Sequence, residues 1–402
     1  MQTSCCDTLT TETTAVASTR VPSVDWLRGL IMIMMALCHT RDYIGSSDYE
    51  NTYWNASLIW RGTSGVDVLH QLFTLIVPGG FFMLMGVSIV FFYTSRRKDG
   101  WSLEKSRNHL LLRGMILVLL QFTVLQLFEI IAENTLYFYM GVLFALGICM
   151  MVAACVEYVS WRLNTPFLLP LLIIIAIVIP QQLYVNYLQN QHITPNFWQT
   201  LLLLGGVMHY GIPLSFDFTP LPWLPGVMTG LMVGHLMRRH PRDFIPIIGR
   251  IALIFIGTLA VFMTLNMTLG LKIGDYRDFD PSHTFSVMAL LCLSKYPPSI
   301  NYYLFSCGIN LALLYHLDYA ARSAMLRTLL SPIRTIGQCA LFFYILHWFV
   351  YYGLSVALPA KDFSGMQVLA TWLFGIAILY PLCALYLRFR QTRPVESLWR
   401  MF

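Results

Sequence analysis

Charge is scarce in this chain: of 402 residues only 11% are Asp, Glu, Lys or Arg, while 57% are hydrophobic. Soluble domains carry roughly 25% charged residues, so a water-soluble globule is excluded and an integral membrane protein is indicated. The motifs G-x-x-x-x-G-K-[ST], G-x-S-x-G, H-E-x-x-H and C-x-x-C are all missing. Their absence removes support for P-loop nucleotide hydrolysis, an esterase elbow, a zincin and thiol redox chemistry. No internal repeat is evident, and no metal site or tightly bound cofactor is expected. The formal net charge of +6 is spread over helix ends rather than gathered in a patch, so no nucleic-acid partner is expected.

Residues 1–20 are rich in Thr, Ser and Ala and have no apolar core. They match no secretory signal peptide and are expected to be a disordered tail. Of the nine cysteines, Cys38, Cys149, Cys155, Cys292, Cys307, Cys339 and Cys383 lie in or beside apolar segments and read as small packing residues.

What the chain does have is about ten segments apolar enough to span a bilayer, near 24–44, 67–93, 109–132, 136–156, 167–187, 222–238, 249–270, 298–316, 335–357 and 366–387. The spacing predicts an all-α, polytopic transmembrane bundle in one domain over 21–390, with a short tail at 391–402. Segment 197–210 is too short to span and reads as interfacial or re-entrant. Pro78-Gly79-Gly80 predicts a break or kink in the second span, and Gly226, Gly230 and Gly234 give the sixth a small-residue face for close packing. With the N-terminus inside, twenty of the 26 Lys and Arg fall on the cytoplasmic side. The positive-inside rule then places both termini in the cytoplasm.

The first span, VDWLRGLIMIMMALCHTRD at 24–42, carries ionisable residues at both ends of an apolar run. Asp25 and His39 are fourteen residues apart, about 21 Å of helix, so a polar group stands near each face of the membrane. Asp25 and Arg28 at i, i+3 form either a self-neutralising interfacial pair or a place where Arg28 meets an anionic ligand such as a nucleotide phosphate. His39 is the candidate base or group carrier, since a neutral imidazole takes a proton near pH 7. Asp42 at i+3 is placed to orient its ring, and Arg41 adds charge beside it. A hydrogen-bonded structural histidine is the alternative.

His70, three residues after Asp67, is a second acid–base or orienting unit, or else an interfacial helix start. His347, alone in FFYILHWF, needs a partner where it is buried, and reads as a polar packing residue ahead of a catalytic one. Lys295 in KYPPS near the outer face binds a carboxylate or phosphate, or anchors the helix that follows.

At these residues the chain resembles the heparan-alpha-glucosaminide N-acetyltransferase-like family of membrane proteins. The blocks are VPSVDWLRGLIMIMMALCHTRDY at 21–43, VPGGFFMLMGVSI at 77–89, LPWLPGVMTGLMVGHL at 221–236, LSKYPPSINYYLFSCGI at 293–309 and IGQCALFFYILHWF at 336–349. They look similar to the bacterial branch in particular. The resemblance implies a multi-helix fold that takes an acyl group, acetyl above all, from cytosolic acyl-CoA and delivers it to a glycan across the membrane.

In the lysosomal members a histidine deeper in the first loop is implicated. This chain has DYENTYWN there, and His39 belongs instead to the HTRDY block. On this reading His39, Asp42 and His70 are catalytic, and Arg28, Arg96 and Arg97 meet acyl-CoA as a co-substrate. Arg41, Asp67 and Lys295 hold an envelope saccharide. The expected setting is a bacterial inner membrane, and a homodimer is one assembly left open. A transporter or exporter of a small polar or glycan-like solute is the competing reading, because intramembrane charges and broken helices serve that role too. A structural or sensor role stays open behind it.

Overall fold

The structure, a computed structural model, describes residues 21–45, 65–241, 243–276, 293–358, 363–394, 397 and 399, without the side chains of Val66 and Asp67. The tail at 1–20 and the first loop at 46–64 lie outside the described residues.

Among the described residues, ten long helical stretches form the bundle. They are α1 (Pro22–Ile44), α2 (Gly65–Lys98), α3 (Leu103–Leu120) continuing as α4 (Gln126–Glu133), α5 (Val142–Leu163), α6 (Leu168–Asn190), α8 (Pro220–Arg239), α9 (Phe244–Leu269), α10 (Ile300–Ala320), α13 (Ala340–Ala357) and α14 (Gly365–Gln391). Short helices α7 (Phe197–Gln199), α11 (Ala324–Leu329) and α12 (Ser331–Gln338) join them. Among the described residues, seven helices are long and apolar enough to cross a membrane. The three long helices outside that group, α1, α8 and α10, carry buried polar side chains. There protein rather than lipid covers polar side chains such as Asp25, Arg41, Ser306 and Asn310.

Helix α1 packs against α2, α10, α12, α13 and α14, with Leu27, Ile31 and Leu37 fully buried. One end of the bundle carries Asp25, Arg28, Lys98 and Arg390, and is called here the basic end. The opposite, acidic end carries Asp42, Glu129 and Asp217.

Of the break or kink expected at Pro78, the break does not occur: α2 runs on through it. Helix α10 lies against the glycines that follow: a Cβ at Gly79 would fall 2.1 Å from Ser306 Oγ. From there Asn310 Nδ2 donates to the Ile76 carbonyl at 2.9 Å, so a neighbouring helix supplies extra donors beside the proline. The chain breaks instead at Cys339, between α12 and α13, within the segment read as one span at 335–357. The glycine face of α8 is as expected. A Cβ at Gly230 would fall 2.0 Å from the Met83 carbonyl, and one at Gly86 2.2 Å from the Val227 carbonyl, so α2 and α8 meet backbone to backbone.

The all-α reading omits a small sheet at the acidic end. Strand β1 (Phe138–Met140) runs parallel to β3 (Ile212–Phe216), which pairs antiparallel with β2 (Gly206–Tyr210). The hairpin turns at Gly211, whose φ of +76° suits glycine. Segment 197–210 therefore becomes α7, a π-turn at Thr200–Leu204 and β2, rather than a re-entrant helix. A π-turn at Gln121–Leu125 joins α3 to α4. Just past it Gln126 clasps β1, donating to the Tyr137 carbonyl at 2.7 Å and accepting from the Tyr139 amide at 2.8 Å. The six described cysteines away from the tail are all free thiols, five of them buried.

Candidate active site

A cavity of about 680 Å³ opens at the basic end. Its charged lining comes from α1 (Asp25, Arg28), the end of α2 (Lys98, Asp99), α3 (Arg113) and α14 (Arg390). Four cations against two carboxylates leave an excess of positive charge, and the Arg113 guanidinium feels both Arg28 and Arg390 as like-charged neighbours. Three guanidiniums gathered this way suit a polyanionic ligand.

Arg28 is held rigidly. It donates to Ser88 Oγ at 2.8 Å and to Asp25 Oδ1 and the Gly337 carbonyl, each at 3.2 Å. The i, i+3 pair read from the sequence is therefore real, and it stands in the cavity wall. A Cβ at Gly337 would fall 1.8 Å from the Asp25 carbonyl, which is why α12 can lie directly on α1 here.

Deeper in, the lining turns apolar, with Met32, Phe81, Leu117 and Met150, and reaches Tyr344 on α13. His347 lies one helical turn further along. The Tyr344 carbonyl accepts a hydrogen bond from His347 Nδ1. That bond fixes the proton on Nδ1 and leaves Nε2 with its lone pair. His347 is fully buried, and its Nε2 has no hydrogen-bond partner among the described residues.

The His39 ring sits against this helix, with its centroid 5.2 Å from that of His347 and 4.4 Å from the Trp348 ring. Asp42 Oδ2 is 3.6 Å from His39 Nδ1, and Asp42 Oδ1 is 3.9 Å from His70 Nε2. One carboxylate therefore stands between two imidazoles, just outside direct hydrogen-bond reach of each. His70 is fully buried, whereas Asp42 is exposed. Tyr43, Phe128 and Tyr352 pack around Trp348 and complete an aromatic wall on the acidic side.

Lys295 lies in the buried turn before α10 and has Cys38, Asp42 and Asp217 as charged or ionisable neighbours. Burial pushes its amine down to about 8, against the pull of those acids. Asp217 follows β3 and accepts from Ser215 Oγ at 2.7 Å. Burial raises its carboxyl, while the Ser215 and Tyr139 hydroxyls and Lys295 pull it back.

A family model described as the catalytic part of heparan-alpha-glucosaminide N-acetyltransferase matches residues 20–267. The chain belongs to this family. No curated protein matches it. Membership in the heparan-alpha-glucosaminide N-acetyltransferase family places the chain among multi-pass membrane proteins of acetyltransferase type. The match takes in Arg28, His39, Asp42 and His70, and stops short of Lys295, Tyr344, His347 and Arg390.

Of the residues singled out from the sequence, His39, Asp42 and His70 come together. Lys295 faces Asp42 electrostatically, and buried Arg41 is a charged neighbour of His70. The Asp67 side chain lies outside the described residues, and His70 turns to Asp42 on α1. Arg28 lines the cavity. Arg96 instead pairs with Asp99 at 2.9 Å and covers the Trp101 ring, and Arg97 donates to the Trp101 carbonyl, so both stand at the rim. Sequence reasoning overlooked Arg113, Arg390, Ser88 and Tyr344 in the cavity, and favoured packing over catalysis for His347. A lone ionisable residue in an apolar span was the available signal for His347.

Proposed function

We propose that this protein is a transmembrane acyltransferase that takes an acetyl group from cytosolic acetyl-CoA and gives it to a hydroxyl or amine of an extracytoplasmic saccharide. The observation that carries this reading is the alignment of the cationic cavity, Tyr344, His347 and His39 along the bundle. On this reading about ten helices span, both termini are cytoplasmic and the basic end faces the cytosol, as the distribution of Lys and Arg supports. A bacterial inner membrane is the proposed location, with residues 21–390 acting as one domain.

The anionic part of the donor sits among Arg28, Arg113 and Arg390, with Arg96 and Arg97 drawing it to the rim. Its pantetheine arm follows the apolar wall toward Tyr344, so that the thioester arrives under His347 and His39. From the other side the saccharide enters over the aromatic wall, held by Arg41, Asp67 and Lys295. His39, oriented by Asp42 and backed by His70, accepts the acceptor's proton as its oxygen or nitrogen attacks the thioester carbonyl. The Lys295 ammonium lies where the developing oxyanion needs positive charge. CoA leaves as the thiol once a proton reaches its sulfur.

A solute carrier fits less well, because the break expected at Pro78 is absent and α2 and α8 are locked backbone to backbone. The deciding experiment supplies labelled acetyl-CoA to proteoliposomes and follows label in saccharide on the far side. His39→Ala should abolish transfer while donor binding persists. Full transfer by that variant would remove His39 from the mechanism, and solute flux without any acyl-CoA would favour a carrier.

A further inference from the structure

Asp275 belongs to no span, to none of the candidate roles above and to no part of the family match, yet it is fully buried. Its Oδ1 accepts from Ser294 Oγ at 2.6 Å and from the Tyr276 amide at 2.7 Å, and its Oδ2 from Ser299 Oγ at 3.4 Å. Ser294 and Ser299 bracket the turn that carries Lys295, and the turn is closed by a bond from the Ser299 amide to the Ser294 carbonyl at 3.0 Å.

The backbone around Asp275 is anchored from outside as well. Gln182 on α6 donates to the Asp275 carbonyl at 3.1 Å, and Gln181 donates to Tyr276 Oη at 3.0 Å and to the Pro298 carbonyl at 2.9 Å. Asn301 gives its amide to the Gly274 carbonyl at 2.9 Å. A charged acceptor with three donors in a buried setting is a strong local constraint. It braces the turn before α10, which Gln181 and Gln182 tie to α6, and so fixes where Lys295 emerges.

We infer that Asp275 is a positioning residue, acting through the Ser294–Ser299 turn to hold the Lys295 ammonium against the His39–Asp42–His70 cluster. Its effect on transfer rests on the acyltransferase reading, but its effect on Lys295 does not. The groups facing Lys295 are Cys38, His39 and Asp42 on α1, His70 on α2 and Asp217 after β3. Held among them and out of water, its amine titrates near 8. Released into water it returns toward the ordinary lysine range of about 10.4.

The test is competitive labelling of the full-length protein in lipid with acetic anhydride across pH, reading the Lys295 peptide by mass spectrometry, beside the transfer assay. In the parent the labelling midpoint should stand near 8. Asp275→Ala should move it upward by about one unit or more and lower transfer at least about tenfold. Asp275→Asn keeps an oxygen for the Tyr276 amide and Ser294, and should hold the midpoint and retain transfer within about threefold. Ser294→Ala removes a single bond and keeps the idea testable where Asp275→Ala fails to fold, with an upward shift again expected. An unmoved midpoint in both Asp275→Ala and Ser294→Ala, or in Ser294→Ala alone where the other does not fold, would overturn the inference, whatever happens to transfer. Absence of transfer in the parent would sink the acyltransferase reading while the labelling result still decides the role of Asp275.

Discussion

His39 on α1 and His347 on α13 hold their imidazole centroids 5.2 Å apart, although one lies near each end of the chain. Because the Tyr344 carbonyl takes the proton side of His347, its lone pair is the free side of a buried ring. Phe343 lies parallel to His347 at 5.9 Å with an 8° tilt, so the ring stands in aromatic surroundings that suit a phenyl replacement. His347→Phe should therefore preserve folding and donor binding, and lower transfer by about 10²-fold or more, the usual scale of acid–base catalysis. Wild-type turnover in that variant would return His347 to a packing role.

At the other end of the cavity, Arg28→Ala removes a guanidinium that lines the cationic pocket proposed for the donor and is held there by three hydrogen bonds. A charge-assisted bond contributes about 1.5–3 kcal/mol, so the KM for acetyl-CoA should rise by about one to two orders of magnitude with kcat less affected. Arg113→Ala should behave alike. Titration calorimetry with CoA at two salt concentrations checks both, with the loss in affinity shrinking at high salt.

On the proposed mechanism Lys295 should set an alkaline limit to transfer. Its folded-state amine lies near 8, below the unfolded value, so the ammonium needed at the oxyanion is lost as pH rises through about 8. Transfer should fall over that range, and Lys295→Met should lower the rate and flatten the limb. Stability moves the other way. Between about 8 and the unfolded value near 10.4 the unfolded chain binds the extra proton, so this residue's contribution to stability improves with rising pH. Lys295→Met should accordingly melt higher than the parent at pH 7 in a detergent thermal scan.

The glycine seam between α2 and α8 offers a test of the fold alone. Gly230→Ala places a methyl 2.0 Å from the Met83 carbonyl, which the two helices can relieve only by moving apart. Overpacking of this kind costs about 1–3 kcal/mol, read as a lower unfolding temperature. Gly257→Ala, where a Cβ meets nothing within 4 Å, should melt like the parent.

The sequence made the helices legible because apolar length is itself the signal: the first span read at 24–44 is observed as Pro22–Ile44, and the sixth, 222–238, as Pro220–Arg239. Contacts within one helix turn were legible as well, including Asp25 with Arg28 and His39 with Asp42. What escaped was whatever depends on partners distant in the chain. Arg113 and Arg390 looked like ordinary helix-end cations until the bundle brought them to one cavity. Strands of three and five residues give too little alternation to register. The approach of His70 to Asp42 on another helix could not be read from the sequence, which offers only its near neighbour Asp67.

The neighbouring imidazoles of His39 and His347 also bear on how the proposed reaction meets the membrane voltage. Moving an acyl group from a thiolate inside to an oxygen or nitrogen outside, with the acceptor's proton released outside and another taken up by CoA inside, transfers one positive charge per turnover. That charge does work of about 2.3 kcal/mol per 100 mV. If His39 and His347 hand the acceptor's proton inward to the departing thiolate, the turnover becomes electrically silent. The rate of the parent protein in vesicles should then ignore an imposed potassium diffusion potential, and any slow turnover left in His347→Phe should respond to it.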